Sequence, residues 1–154
     1  MQGVYVAEAI ITGVTAAQTL MYLESPADAV IEILSALVTQ IDIDTSEQLE
    51  FSLTRITSLG TPTTSTTVTP EKTEQGSPAA GSIVKADVTA SEPTYHTVDY
   101  DHQGVSNLAG YEFLPPPEGR VLISPNSDVG IRLLNNPLAA TAFVVQMTFR
   151  EIGG

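Results

Sequence analysis

The sequence predicts an all-β fold, an antiparallel β-sandwich of the jelly-roll type that forms a single domain over residues 1–154. Short runs rich in Val, Ile, Thr, Tyr and Phe recur along the chain, and Gly, Pro and Asn residues separate them. No helices alternate convincingly with these runs, which argues against an α/β fold. A chain of 154 residues is long enough to bury one ordinary hydrophobic core.

The first two strands are predicted at residues 4–12 and 19–24, with a turn near Gly13 between them. Both runs are rich in β-branched and aromatic residues, so we expect them to be mostly buried. The first run belongs to a possible N-terminal strand or arm over residues 1–14.

Residues 29–41 fit both a helix and a strand. Ser25 is a good helix N-cap, Pro26 suits the first helical position, and apolar residues recur at helical spacing. The many β-branched residues and the strand-like neighbours favour one long strand instead. In that strand, alternate residues from Val30 to Gln40 would share one face, and those from Ile31 to Ile41 would share the other.

Residues 42–47 are predicted to form a polar turn, followed by a strand at 48–57 in which Leu49, Phe51 and Leu53 share one face. Residues 58–91 are rich in Thr, Ser, Pro, Gly and Ala, with few large apolar side chains. We therefore predict a long Thr/Ser/Pro-rich loop there, because little apolar surface is available for burial. Since loops of this length are more often functional than idle, we expect an arm that lies across a neighbouring subunit.

The second half of the chain contains further predicted strands at residues 94–100, 109–114, 121–124 and 129–134, each bounded by turn residues. The last strand, at 142–151, alternates most clearly, and its predicted core face carries Phe143, Val145, Met147 and Phe149. Eight or nine short strands joined by turns are typical of a sandwich or jelly roll.

The formal net charge of −12 arises from 18 acidic and 6 basic side chains. Such a charge repels phosphate backbones and anionic lipid, so neither nucleic acid nor a membrane is an expected partner. The chain has no cysteine, which excludes disulfides and thiolate metal sites. The N-terminus lacks a basic segment, and the longest apolar run is too short to span a bilayer, so we expect a soluble product without a secretion signal.

Two acidic clusters are candidate metal sites. His96, Asp99, Asp101 and His102 lie close in sequence, but in an extended strand the two histidines would be about 20 Å apart. Asp42, Asp44 and Ser46 imitate the start of a calcium loop, whose glycine and bidentate glutamate are missing. We expect a solvated loop in the first case, a hydrophilic turn in the second, and no bound metal or cofactor.

No residue stands in a context typical of a catalytic nucleophile, because there is no cysteine and no G-x-S-x-G motif. A cupin-like enzyme would need more metal ligands than two histidines six residues apart can supply. We therefore expect no enzymatic activity and assign no catalytic residue.

Four phrases occur in a characteristic order in the second half of the chain: Ser77–Ala80, Thr89–Tyr95, Gly110–Gly119 and Gly130–Leu133. This order resembles a family of jelly-roll capsid decoration (cement) proteins of tailed bacteriophages. The chain departs from the family pattern in having an additional serine before Glu92 and a phenylalanine where the family often has tryptophan.

The resemblance implies a virion structural protein, made in the host cytoplasm, that binds the outside of a phage head. It further implies that the protein bridges subunits of the major capsid protein and associates as a homotrimer. A receptor- or glycan-binding jelly-roll module of a phage fibre or spike is the alternative. The candidate interface residues are Val4, Tyr5, Val6, Tyr95, Tyr100, Tyr111 and Phe113.

Overall fold

The computed structural model describes residues 3–42, 46–62 and 64–153. They form two antiparallel sheets packed face to face, which confirms the predicted all-β sandwich. A short 3-10 helix, Pro117–Gly119, precedes β11. The strands are β1 Val4–Val14, β2 Gln18–Glu24, β3 Ala29–Gln40, β4 Gln48–Ser58, β5 Thr64–Val68, β6 Glu71–Lys72, β7 Ile83–Ala90, β8 Thr94–Tyr95, β9 Asp101–Ser106, β10 Tyr111–Phe113, β11 Val121–Ile123, β12 Asp128–Leu133 and β13 Thr141–Gly153.

The strand order is that of a jelly roll. Sheet A has the order β10-β3-β13-β1-β6, and β11 also pairs with β3; sheet B has the order β5-β7-β2-β12-β4-β8, and β9 also pairs with β4. A jelly roll consists of two four-stranded sheets. The corresponding strands, in order across each sheet, are β1, β13, β3 and β10/β11 in sheet A and β2, β12, β4 and β8/β9 in sheet B. Strands β5, β6 and β7 extend these halves at their edges.

The hydrophobic core lies between the two sheets. The last strand contributes Phe143, Val145, Met147 and Phe149 to it, all buried as predicted. Aromatic rings meet across the sheets, since Phe51 of β4 lies 5.9 Å from Phe143, centroid to centroid, with an edge-on geometry. Edge-on and tilted aromatic pairs of this kind stabilise a core beyond the area they bury.

Residues 29–40 form a strand, as predicted, but their alternation is interrupted. Ser35 pairs with Thr148 and Ile33 with Phe149, so Leu34 is an extra residue in a β-bulge. Ile31 and Ile33 are therefore buried before the bulge, whereas Ala36 and Val38 are buried after it. The predicted uninterrupted alternation is wrong because the bulge shifts its phase by one residue.

The prediction of a long loop over residues 58–91 is wrong. The described part of this stretch contains β5, β6 and β7, and β7 pairs with both β2 and β5. Val84, Ala86 and Val88 of β7 are buried, so small apolar side chains are sufficient at these positions. The turn before β7 is fixed within the same chain, because Glu151 accepts hydrogen bonds from the Ser82 amide (2.8 Å) and hydroxyl (2.6 Å).

The predicted strand at 94–100 is interrupted after Tyr95. The chain separates from β4 after His96, whose amide donates to the Arg55 carbonyl. It rejoins β4 at Tyr100, whose amide donates to the Leu53 carbonyl. The remaining predicted strands are present with small shifts of their ends. The 1–14 segment contributes β1, which pairs with β13 along most of its length; Met1 and Gln2, as well as Asp44 of the suggested calcium loop, lie outside the described residues.

Candidate binding surfaces

Two of the candidate interface residues belong to the core. Tyr5 and Tyr111 are 0% exposed. The Tyr5 hydroxyl accepts a hydrogen bond from the Gly3 amide (3.1 Å) and donates one to the Pro78 carbonyl (3.1 Å). Tyr111 packs against Phe51, and burial raises the pKa of its phenol. Neither ring can contact a partner, so both assignments are corrected.

Tyr95 covers a second, smaller apolar cluster on the outer face of sheet B. Beneath and beside it are buried side chains of Tyr22, Ile56 and Val88. Its hydroxyl lies 2.8 Å from the Thr19 hydroxyl, and burial raises the pKa of its phenol. This ring fastens the start of the segment 92–100 to the sheet.

Arg132 holds the same segment from β12. Its guanidinium lies 4.1 Å from the centre of the Tyr95 ring and donates to Asp99 Oδ1 (3.1 Å). It also donates to the hydroxyls of Ser52 (3.3 Å) and Thr54 (3.3 Å). A planar guanidinium can make these forked and stacked contacts together, which a lysine cannot.

The suggested metal cluster is an ion-pair network. His102 Nδ1 lies 3.2 Å from Asp99, and His102 Nε2 lies 3.4 Å from Glu50. His96 and His102 are opposite Arg55 and Ser52 of β4, so they are displaced along one strand rather than converging. In residues 3–42, 46–62 and 64–153, no group of three or more His, Cys, Asp and Glu side chains could hold a metal ion.

The bulged segment between His96 and Tyr100 creates an exposed surface at one end of the sandwich. Val98 is 68% exposed and Tyr100 is 42% exposed. Arg55 and Tyr100 both line two shallow depressions of about 120 and 220 Å³. Of the candidate aromatic residues, Tyr100 is therefore the one presented to solvent beside concave surface.

The outer face of sheet A carries exposed apolar side chains. Ile10 is 63% exposed and Leu122 is 61% exposed, and the candidates Val4 and Val6 are half-buried on the same face. In a sandwich with one wetted side, this face would ordinarily carry polar residues. We define this outer face by the outward-pointing apolar residues Val4, Val6, Ile10, Leu37, Val144 and Leu122.

Charged side chains on the outer face of sheet A are partly paired. Glu32 pairs with Arg120 (3.3 Å) on one side and with Arg150 (3.1 Å) on the other. Glu8, Glu71 and Glu112 are the other acids that the strand register places there. Four acids and two arginines therefore give this face a net charge of −2.

Two carboxylates face each other on the outer side of sheet B. Glu24 of β2 is the direct cross-strand partner of Asp128 of β12. Burial raises the pKa of both groups, and the charge of Asp128 raises that of Glu24 further. Burial, with the two acids beside it, also raises the pKa of Tyr22 to about 12. Like charges placed directly opposite each other destabilise a sheet.

A cavity of about 610 Å³ lies between the start of β1 and the end of β13. Gly3, Val4, Ile152 and Gly153 line part of it. Residues 1, 2 and 154, which adjoin this cavity along the chain, lie outside the described part, so we assign no ligand to it.

Comparison of the chain with models of known protein families, with curated proteins and with solved structures finds no match. Within the described ranges, no helix has the length and apolar character needed to cross a membrane. Phe113 is half-buried and packs against the main core, which makes it a poor contact residue. The surfaces that remain for a functional argument are the outer face of sheet A and the sandwich end around Tyr100.

Proposed function

We propose that the protein is a virion structural protein that binds the outer surface of a phage head and bridges subunits of the major capsid protein. The observation that carries this proposal is the outer face of sheet A, where exposed apolar side chains lie beside a carboxylate that is paired with two arginines. The four sequence phrases that resemble decoration proteins support the same role. Val4 and Val6 belong to this docking face.

The size of the outer face of sheet A suits a stable protein contact. Four strands spaced about 4.8 Å apart span about 19 Å, and the 11 residues of β1 extend about 36 Å. The resulting area of roughly 700 Å² is close to the roughly 800 Å² that each partner contributes to a typical specific interface. The pairing of Glu32 with two arginines limits electrostatic repulsion during docking.

Stabilisation of the shell would follow from mass action. A protein that binds only the assembled, expanded shell stabilises it by about 2.7 kcal/mol per site when its concentration is a hundred times its Kd. Association as a homotrimer would link three docking faces, so that each bound subunit raises the effective concentration of the others. No reaction chemistry is needed for this role.

Co-sedimentation with expanded phage heads that lack the protein tests the proposal, with native mass measured in parallel. We expect saturable binding by a trimer and greater resistance of the heads to heat. Ile10→Gln should weaken binding per site about tenfold, equivalent to ~1.4 kcal/mol, because it removes exposed apolar surface from the contact.

Leu138→Gln is the matched control, because Leu138 is 79% exposed and lies outside the outer face of sheet A. It should leave binding to heads unchanged. Equal effects of the two variants, or no binding of the native protein to heads, would contradict the proposal.

A further inference from the structure

Tyr100 stands between two depressions at the end of the sandwich. One is lined by Arg55, Tyr100 and Leu122 together with hydroxyl-bearing Ser124 and Ser127. The other is lined by Arg55, Tyr100, His96, Val98 and Asp99. An exposed aromatic ring is thus bordered on both sides by groups that form hydrogen bonds.

The depression beside Val98 offers donors and acceptors together. Arg55 forms no ion pair with any other described residue, so its guanidinium is available to donate. His96 Nδ1 accepts the Val98 amide (3.1 Å), which leaves Nε2 for an incoming group. Asp99 is fixed in place by Arg132 and Thr54, whose hydroxyl donates to it at 2.5 Å.

This combination fits the chemistry of a neutral sugar. A sugar hydroxyl both donates and accepts hydrogen bonds, as does the hydroxyl of serine, and so it can use a guanidinium and a carboxylate at once. The C–H face of a sugar ring can pack on an exposed tyrosine ring, whose body is apolar and whose tip is polar. Val98 and Leu122 supply apolar borders.

Charge argues for a neutral ligand rather than an anionic one. The chain carries a net charge of −12, which lowers the local concentration of anions around it. The charge of Asp99 in this depression is already paired with that of Arg132 (3.1 Å). A glycan without carboxylate or sulfate groups avoids the general repulsion.

We propose that the surface formed by Arg55, His96, Val98, Asp99 and Tyr100 binds neutral carbohydrate. The two depressions measure about 120 and 220 Å³, and Tyr100 lines both of them. This activity is additional to capsid binding, because the five residues belong to β4 and to the segment that follows β8. Leu122, which borders one depression, is shared with the outer face of sheet A.

The test is an NMR titration of the ¹⁵N-labelled full chain with maltose, cellobiose, lactose and N,N′-diacetylchitobiose. We expect saturable shifts at the amides of residues 96–100 with at least one disaccharide. Tyr100→Ala should weaken that binding at least tenfold, whereas Tyr100→Phe should retain most of it because the ring remains. Arg55→Ala should weaken binding at least fivefold.

Lys85→Ala provides the matched control for charge, since it removes one positive charge from β7, three strands away from Arg55 in sheet B. It should not alter sugar binding. 3′-Sialyllactose, the anionic counterpart of lactose, should bind more weakly than lactose does.

Absence of saturable shifts with all four sugars, or equal binding by the native protein and Tyr100→Ala, would overturn the proposal. Tighter binding of sialyllactose than of lactose would identify an anion site instead. Loss of head binding in Tyr100→Ala, without sugar binding by the native protein, would make this surface a protein contact. These results are separate from those of Ile10→Gln, so either proposal can fail without the other.

Discussion

Among single residues, the pair Glu24 and Asp128 is the clearest electrostatic cost in the fold. The two carboxylates are cross-strand partners, and burial raises the pKa of each. The folded protein therefore retains their protons to a higher pH than the unfolded chain does. As a result, the free energy of unfolding falls as the pH rises from about 4 through the raised pKa values, and the full cost is present at pH 7.

Asp128→Asn should increase the free energy of unfolding at pH 7 by about 0.5–1 kcal/mol, because it removes one of the two facing charges. The gain should shrink at pH 4, because the raised pKa values keep a larger fraction of the native carboxyl groups protonated there than at pH 7. Urea denaturation at both pH values measures the difference. Asp28→Asn, the same change at an exposed position, should give a smaller effect that varies less with pH; a gain for Asp128→Asn that is equal at both pH values would contradict this account.

The burial of individual aromatic residues could not be predicted from the sequence. Tyr5, Tyr95, Tyr100 and Tyr111 have similar local contexts in the sequence, yet two are core residues and one lies on the sheet face. The position of Tyr100 depends on the bulge that begins at His96, and that bulge is held by Arg132, 32 residues or more along the chain. Contacts of that range leave no periodic signal in the sequence.

Among the elements, β3 carries the most consequential irregularity. The extra residue Leu34 allows Ile31 and Ile33 before it, and Ala36 and Val38 after it, to face the same core. A strand without the bulge would turn one of these pairs outward, because a shift of one residue exchanges the two faces.

Deletion of Leu34 should therefore lower the free energy of unfolding by more than about 3 kcal/mol, since two large apolar side chains would leave the core. Leu34→Ala, which retains the extra residue, should cost less than about 1.5 kcal/mol because this side chain is half-buried. Thermal and urea unfolding of both variants give the comparison. Similar losses in the free energy of unfolding for the two variants would show that the position at which the alternation of β3 shifts does not matter for stability.

Most strands could be predicted because their own residues alternate or cluster, as in β1, β4 and β13. Strand β7 was missed because the Thr- and Ser-rich residues around it dominate the composition, although Val84, Ala86 and Val88 alternate with polar residues. That alternation is the signal that would have located it. The bulge in β3 had no such signal, since it is apparent only from pairing with β13.

At the scale of the whole molecule, negative charge is the main property that opposes a compact state. With 18 acidic and 6 basic side chains, the folded chain brings many like charges closer together than the unfolded chain does. On the outer face of sheet A, two arginines pair with Glu32. This pairing lowers the repulsion that the face presents to a partner.

Raising NaCl from 0.05 to 0.5 M at pH 7 should increase the free energy of unfolding by about 1 kcal/mol, because salt screens repulsion between exposed charges. The same change at pH 4 should have a smaller effect, as many carboxyl groups are then protonated. Urea midpoints across the salt series provide the measurement. A loss of stability with salt at pH 7 would mean that attractive ion pairs outweigh the net repulsion.

The position of β13 between β1 and β3 also governs how the chain reaches its native state. Val4 is paired with Arg150, so the two partners are separated by almost the whole sequence. Such pairings carry a large loop-closure cost and are typical of domains that fold in milliseconds to seconds. During synthesis, β1 and β3 emerge long before the strand that joins them. The backbone N–H and C=O groups with which they pair to β13 remain unpaired until residues 141–153 have left the ribosome.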